Sequence, residues 1–470
     1  MSSNETKPAS AQDAALEDEL YKKRQKLYVR EVHGIWAKLR NLAMFSLLGL
    51  YYGLPWINLN GQQIILFDLP ARQFHIFGFT FWPQDFIYLS ALLIIAALAL
   101  FMFTALAGRL WCGYACPQTV WTEMYMWMER LVEGDSRKRK KLDKGPRNFN
   151  FYRIKTTKHL VWLVFSLWTG FTFVGYFSPI RELAEGVMTF NLGPWETFWI
   201  FFYGFATHGN AGFMREQVCI YMCPYARFQS AMIDRNTLMI SYDPKRGDPR
   251  GARKRGVDPK TIGKGDCIDC GLCVQVCPTG IDIRDGLQYQ CIGCAACIDV
   301  CDEVMDKMGY EKGLIKYTTE NALEGQKTKI LRPRMFVYIG IISLVSVMLF
   351  YALLTRVPLE VDIIRDRSAL FTENRKGLIE NVYNLKVINM DKVARNYLIT
   401  VDGLDGIEVK GGAATVDVDS GEVADLPLRI QVPPDSIKER SSEVYFNITT
   451  TDGSGIELRE PARFLGPVSR

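Results

Sequence analysis

The chain has 470 residues, with 48% hydrophobic and 12% aromatic residues against 23% charged. That length exceeds one ordinary domain, and the balance fits a membrane protein carrying soluble parts instead of a wholly soluble enzyme. The net charge of +5 is concentrated in a few loops beside apolar runs, which argues against a folded basic domain, so no nucleic-acid partner is expected.

The first twenty residues are polar and acidic, without an apolar core, and the tail then reaches the basic run Lys22-Lys23-Arg24. No cleavable signal peptide is expected. Five apolar stretches follow that could cross a bilayer, which takes about 20 helical residues. Segment 41–57 is short, but basic residues precede it and Trp56 sits at its end. Segment 86–106 is nearly free of charge, and segment 160–177 is rich in aromatic residues. Segment 195–207 carries Glu196 and becomes long enough only by running on through Gly209 and Phe213. Segment 335–354 is again almost free of charge. Basic residues decide orientation. Residues 130–158 hold eleven Lys/Arg against three acids, and Lys327, Lys329, Arg332 and Arg334 precede the last stretch. The other two loops carry only Arg72 and Arg181. The pattern predicts an N-terminus inside, five crossings and a C-terminus outside.

The first two and the next two crossings form a crude internal repeat. Each pair leads to an arginine and then a Cys-x3-Cys-Pro motif: Arg109 before Cys112, Cys116 and Pro117, and Arg215 before Cys219, Cys223 and Pro224. On a helix, i and i+4 share a face. Two such thiolates can chelate a soft ion such as Cu(I), form a strained disulfide, supply half of a further cluster, or simply pack. Met124, Met126, Met128 and Met222 lie nearby and read mainly as packing residues. His33, His75, His159 and His208 form no haem-ligating pair within one span, though His159 and His208 could approach each other.

All twelve cysteines fall between Cys112 and Cys301, in tight groups that suggest metal and a reducing, cytoplasmic face. The densest block reads Cys267-x2-Cys270-x2-Cys273-x3-Cys277-Pro278, then Cys291-x2-Cys294-x2-Cys297-x3-Cys301. Three cysteines at two-residue intervals wrap one iron–sulfur cubane, and the fourth of each run ligates the other cluster. Cys267, Cys270, Cys273 and Cys301 therefore hold one [4Fe–4S] cluster, and Cys291, Cys294, Cys297 and Cys277 the second. Paired Cys-x2-Cys sites also bind zinc, but this doubled four-cysteine spacing fits cubanes better. The second run has Asp302 where the first has proline. Gly271, Gly280 and Gly293 suit a backbone turning close to a cluster.

Beyond Val357 the apolar period becomes two: Tyr383/Leu385/Val387, Tyr397/Ile399/Val401, Leu426/Leu428/Ile430/Val432 and Val444/Phe446/Ile448. Asp402-Gly403, Ser420-Gly421 and Asp452-Gly453 separate such runs. This predicts a small all-β sandwich, with Pro427 on an edge strand. The fold class is a multi-domain membrane protein: a five-helix transmembrane bundle, a bacterial two-cluster ferredoxin-like domain and a C-terminal Ig-like sandwich. The expected divisions are a cytoplasmic tail (1–34), a transmembrane region with four spans and both Cys-x3-Cys-Pro motifs (35–230), a cytoplasmic ferredoxin-like domain (231–330), a fifth span (331–356) and a periplasmic sandwich (357–470).

This order of parts, from about Tyr21 to the end, resembles the CcoG/FixG/RdxA family of cytochrome c oxidase accessory proteins. The resemblance implies a multi-pass protein of the bacterial inner membrane that helps to mature a cbb-type oxidase. It implies an oxidoreductase that reduces Cu(II) to Cu(I), with copper held near Cys112, Cys116, Cys219 and Cys223. The implied partners are a copper-exporting P-type ATPase, oxidase assembly factors and a cytoplasmic electron donor. The chain works in the lipid bilayer, with a homodimer as one form it could take. Two other readings stand beside this one. One is a quinol-linked ferredoxin subunit of a respiratory chain; the other is a non-enzymatic copper-handling scaffold.

Overall fold

The computed structural model describes residues 26–467 apart from Asn60 and Lys392; the expected disordered tail up to Gln25 lies outside them. The chain divides into two compact units. The first comprises residues up to Gly78 together with Pro83–Leu344, and the second comprises Phe79–Trp82 together with the residues from Val345 on.

Each of the five apolar stretches carries a helix, and further helices lie between them. In chain order the helices are α1 (Ile35–Gly53), α2 (Phe86–Ala107), α3 (Leu110–Tyr114), α4 (Pro117–Glu133), α5 (Ser136–Lys144), α6 (Phe149–Val174), α7 (Ile180–Thr189), α8 (Pro194–Thr207) and α9 (Pro224–Met232). The cysteine block contributes α10 (Ala296–Met308), and α11 (Pro333–Leu354) closes the series. Among the described residues, α2 and α11 alone are both long and apolar enough to count as membrane spans by themselves. The weakest stretch runs on as expected, since α8 continues without a break into a π-helical segment, His208–Met214.

Helices α6 and α8 meet through small residues. A Cβ added at Gly170 would run into the Ile200 carbonyl oxygen, and one at Gly204 would come 3.3 Å from the Ser166 carbonyl oxygen. Such close backbone approach is how helices associate where water does not drive them together. On the far side of this pair the two connecting loops meet. Gln63 Nε2 donates to the Gly175 carbonyl (2.7 Å) and its Oε1 accepts from Ile180 N (3.1 Å).

Helix α1 begins six residues before the expected stretch. Its N-cap is Gly34, which has no side chain to cap it. Asp299 on α10 takes that role: its Oδ2 accepts from Ala37 N (2.7 Å) and its Oδ1 from Trp36 N (3.3 Å). Upstream, Arg30 N donates to the Gln275 carbonyl at 2.9 Å. Residues 26–34 therefore pack on the cysteine block, and the boundaries expected at 34 and 230 do not divide this unit.

In the second unit, two sheets enclose one core. One has strands in the order Glu408–Val409, Val423–Val432, Ile379–Asn389 and Leu359–Arg365, with Thr372–Glu373 beside Ile379–Asn389. The other runs Ala414–Val418, Arg395–Asp402, Ser441–Thr450 and Glu457–Leu465. Tyr383, Tyr397, Ile430 and Phe446 are fully buried between them. The strand of Pro427 has a neighbour on each side and is not the edge strand expected, but its outer neighbour pairs only with Ile430 and Gln431, so nothing pairs with Pro427 on that side.

Replacing Gly170 by Val forces a side chain into the α6–α8 contact. It is expected to destabilise the detergent-purified protein by about 1–3 kcal/mol, read as a lower thermal unfolding midpoint; an unchanged midpoint contradicts the packing described. Asp299→Ala removes the cap of α1 at a cost of about 1 kcal/mol. Amide exchange at Trp36 and Ala37 should quicken while the strands of the second unit stay protected; unaltered exchange at those two amides contradicts it.

Candidate metal centre

The two runs of the cysteine block share one backbone design. In each, the residues two and four positions after the first cysteine are left-handed: Asp269 (φ 55°) and Gly271 (φ 62°), then Gly293 (φ 69°) and Ala295 (φ 60°). Such turns curl three cysteines about one point and direct backbone N–H groups inward. Gly271, Gly280 and Gly293 adopt the conformation expected of them. Asp269 and Ala295 do the same without a glycine to announce it.

Each run opens onto a small cavity. Cys267, Cys270 and Cys273 line the first together with Cys301, around about 380 Å³ of empty space. Cys291, Cys294 and Cys297 line the second together with Cys277, around about 340 Å³, and Cys273 reaches this one too. The exchange of the fourth cysteine between runs is thus present in the fold. Among the described residues no three His, Cys, Asp or Glu side chains close on a single metal ion. A cubane asks for something else, since each thiolate meets its own iron. The donor set and its spread fit two cubanes and not zinc.

Burial pushes these thiols up, Cys273 to about 11 and Cys294 and Cys301 to about 12, and neighbouring thiols add to the rise in each. Such groups stay protonated unless a metal displaces the proton. Asp302, in place of a proline, lets α10 continue past Cys301, and its Oδ1 accepts from Gly313 N at 2.9 Å.

The Cys-x3-Cys-Pro motifs are true structural repeats. Four residues before the first cysteine of each stands the same rare conformation, Gly108 (φ 55°, ψ −115°) and Arg215 (φ 46°, ψ −112°). The structural partner of Arg215 is therefore Gly108, not Arg109. Cys116 and Cys223 each precede a proline that opens α4 or α9. Burial lifts Cys112 to about 11, with Cys116 and Cys223 adding to the rise, and Cys219 to about 12, with Cys116, Cys112 and Cys223 adding. Gln229 Nε2, buried, donates to Cys112 Sγ at 3.3 Å.

This thiol group is fixed directly to the second cavity. A Cβ on Gly113 would come 2.8 Å from the Gly293 carbonyl oxygen and 2.9 Å from that of Ile292. Buried Arg109 donates to the carbonyls of Tyr289 and Cys291 and, at 2.9 Å, to that of Ala226 on α9. One guanidinium thereby ties both motifs to the loop that carries Cys291. Arg40 Nη1 adds a donation to the Cys294 carbonyl at 2.9 Å.

Beside the site lies a buried charge network. Glu129 pairs with Arg139 (3.0 Å) and Arg215 (2.9 Å), and Glu133 with Lys155 (2.8 Å) and Lys158 (3.0 Å). Burial works to raise Glu129, but Arg215, Arg139 and Lys158 outweigh it and hold the carboxyl below its ordinary value. The basic stretch 130–158 is therefore partly internal. Met126 and Met128 are buried, and Met128 packs with Tyr125 and Trp162. His159 and His208 do approach, with ring centroids 6.3 Å apart.

A family model described as a 4Fe-4S dicluster domain matches residues 214–320, and one described as a 4Fe-4S binding domain matches 89–139. A model of the IG-like fold at the C-terminal of FixG matches 349–467. Nitrogen fixation protein FixG of Rhizobium meliloti is 35% identical, over 93% of this chain and 92% of its own length. Protein RdxB of Cereibacter sphaeroides is 40% identical, over 84% and 86%. Ferredoxin-type protein NapH of Escherichia coli is 21% identical over 52% of this chain and 86% of its own. The crystal structure of a FixG-related protein from Vibrio parahaemolyticus matches 24% of this chain and 98% of its own at 28% identity, with a TM-score of 0.21.

The crossed lining of the cavities has a direct check. Cys301→Ser should empty the first cavity and Cys277→Ser the second, each lowering bound iron from about eight atoms per chain to about four. The two variants should lose different components of the reduced electron paramagnetic resonance (EPR) spectrum. Loss of the same component in both contradicts the crossing.

Proposed function

We propose, since the chain belongs to the FixG/RdxA family, that this iron–sulfur electron-transfer protein is a multi-pass membrane cupric reductase serving oxidase assembly. In this reading Cys267, Cys270, Cys273 and Cys301 hold one [4Fe–4S] cluster, and Cys277, Cys291, Cys294 and Cys297 the other. Bound there, the clusters supply one-electron storage and relay. The observation that carries the reading is the seating of Gly113 on the Ile292 and Gly293 carbonyls, which sets Cys112 against the second cluster's loop.

Cys112, Cys116, Cys219 and Cys223 receive copper as substrate. Soft thiolates favour Cu(I) over Cu(II), so the reduction Cu(II) + e⁻ → Cu(I) is helped by the site itself. Arg109 offsets part of the negative charge that thiolates gather there. Gln229 orients Cys112. Copper then passes as Cu(I) to an exporting ATPase.

Membrane embedding through five crossings draws support from the helix surfaces. Besides α2 and α11, exposed large apolar residues mark α1 (Leu42, Phe45, Leu50), α6 (Leu160, Val164) and α8 (Phe198, Phe202). Water does not explain so much exposed apolar surface, and lipid does. The basic loops favour a cytoplasmic side for the cysteines and a periplasmic side for the sandwich.

A second reading has its own observation. The 4Fe-4S binding model over 89–139 spans Cys112 and Cys116, so the four motif thiols could hold a third cluster in place of copper. Anaerobic Cys112→Ser protein separates the two. Under the copper reading it keeps about eight irons and an unchanged reduced spectrum but yields no Cu(I) from Cu(II). A fall from about twelve irons to about eight in the same variant supports the third cluster instead.

A further inference from the structure

A cavity of about 620 Å³ in the first unit lies beside both cysteine groups. Its walls come from residues 26–41, α4, α6 and the π-helical segment after α8. It shares Cys294, Ile292, Ala296, Pro278 and Thr279 with the second cysteine cavity, and it also touches Cys219. A molecule held here would stand against the loop of the second cluster.

We infer that this cavity binds a hydroquinone, the two-electron donor to the iron–sulfur centres. The inference rests on the iron–sulfur and membrane parts of the proposed function and not on copper. Its size suits a small organic ligand. Trp162, Phe213 and Met126 give it flat apolar wall, and the His159 ring stacks on Phe213 (13° between planes, centroids 5.7 Å apart). Among the lining cations, Lys155 and Lys158 pair with Glu133 and Arg215 pairs with Glu129, while Arg40 donates through Nη1 to Cys294 O and keeps a buried Nε without a partner. Lys38 and His33 stand exposed. One buried acceptor awaits a donor: Glu129 Oε1 has no hydrogen-bond partner and has Lys158 Nζ at 3.9 Å, a place that a ligand hydroxyl completes.

The chemistry balances. A hydroquinone breaks two O–H bonds to become a quinone, releasing two protons and two electrons. The two [4Fe–4S] clusters accept one electron each. The protons pass to lining bases, with the His159 imidazole the neutral one at hand. Arg40 and Arg109, both aimed at carbonyls of the second loop, put positive charge where a cluster must be made easier to reduce.

The test uses the full chain, purified without oxygen in detergent with its clusters. Menadiol serves as donor and an azido-naphthoquinone as photolabel. The label should map to peptides of 118–130, 155–162 or 212–219, and menadiol should bleach the cluster absorbance. Met126→Trp and Thr122→Trp, which fill the cavity from two positions, should each weaken labelling and bleaching by about ten-fold or more, while dithionite still bleaches fully. Labelling elsewhere, or bleaching that both variants leave unchanged, overturns the assignment. A labelled cavity whose menadiol cannot bleach the absorbance overturns the donor role. Protein with no dithionite-bleachable absorbance would count against the iron–sulfur reading, and the label map would then decide the cavity by itself.

Discussion

The architecture of the first unit turns on a contact with no room for a side chain. Gly113 lies against the carbonyls of Ile292 and Gly293, so the turn that carries Cys112 rests on the loop that carries Cys291 and Cys294. Arg109 fixes this contact from one side through three carbonyls, and Arg40 and Asp299 fix α1 to the same block. With that seat the Cys112 turn and the cysteine block are neighbours, and Cys112 packs beside Val276 and Cys294.

Charge is gathered inside the helices of the first unit. Glu129 and Glu133 lie on one face of α4 and draw in Arg139, Lys155, Lys158 and Arg215 from three other segments. A buried ion pair is weak evidence for stability, because desolvation opposes it. Its stronger effect here is register. Three segments must reach the same two carboxylates on α4, which fixes walls of the 620 Å³ cavity and the orientation of Arg215 ahead of Cys219.

Much of this was legible in residue spacing, because cluster ligation, strand pairing and turn formation are local demands. The standing of Cys277 and Cys301 each at the other run's cavity, and the alternation of the paired strands in the second unit, follow from short-range pattern. What stayed hidden was long-range or lacked a residue signature. Asp299 reads as an ordinary helical acid until it meets Gly34, 265 positions earlier in the chain. Asp269 and Ala295 adopt conformations that glycine usually marks. The repeat was visible, but its arginines suggested an alignment one residue out of register, since backbone conformation and not charge sets the correspondence of Gly108 with Arg215. Residues 26–34 mix charged and apolar side chains and read as tail, yet Val32 and Arg30 pack on the cysteine block.

The central claim is that electrons held at the cysteine block leave through the thiols seated upon it. It is tested most directly by reducing the wild-type chain without oxygen, removing the reductant, and adding Cu(II) while cluster absorbance and a Cu(I)-specific dye are followed together. The account predicts that absorbance returns as about two Cu(I) form per chain, one for each cluster electron. Clusters that stay reduced in the presence of Cu(II) would contradict it.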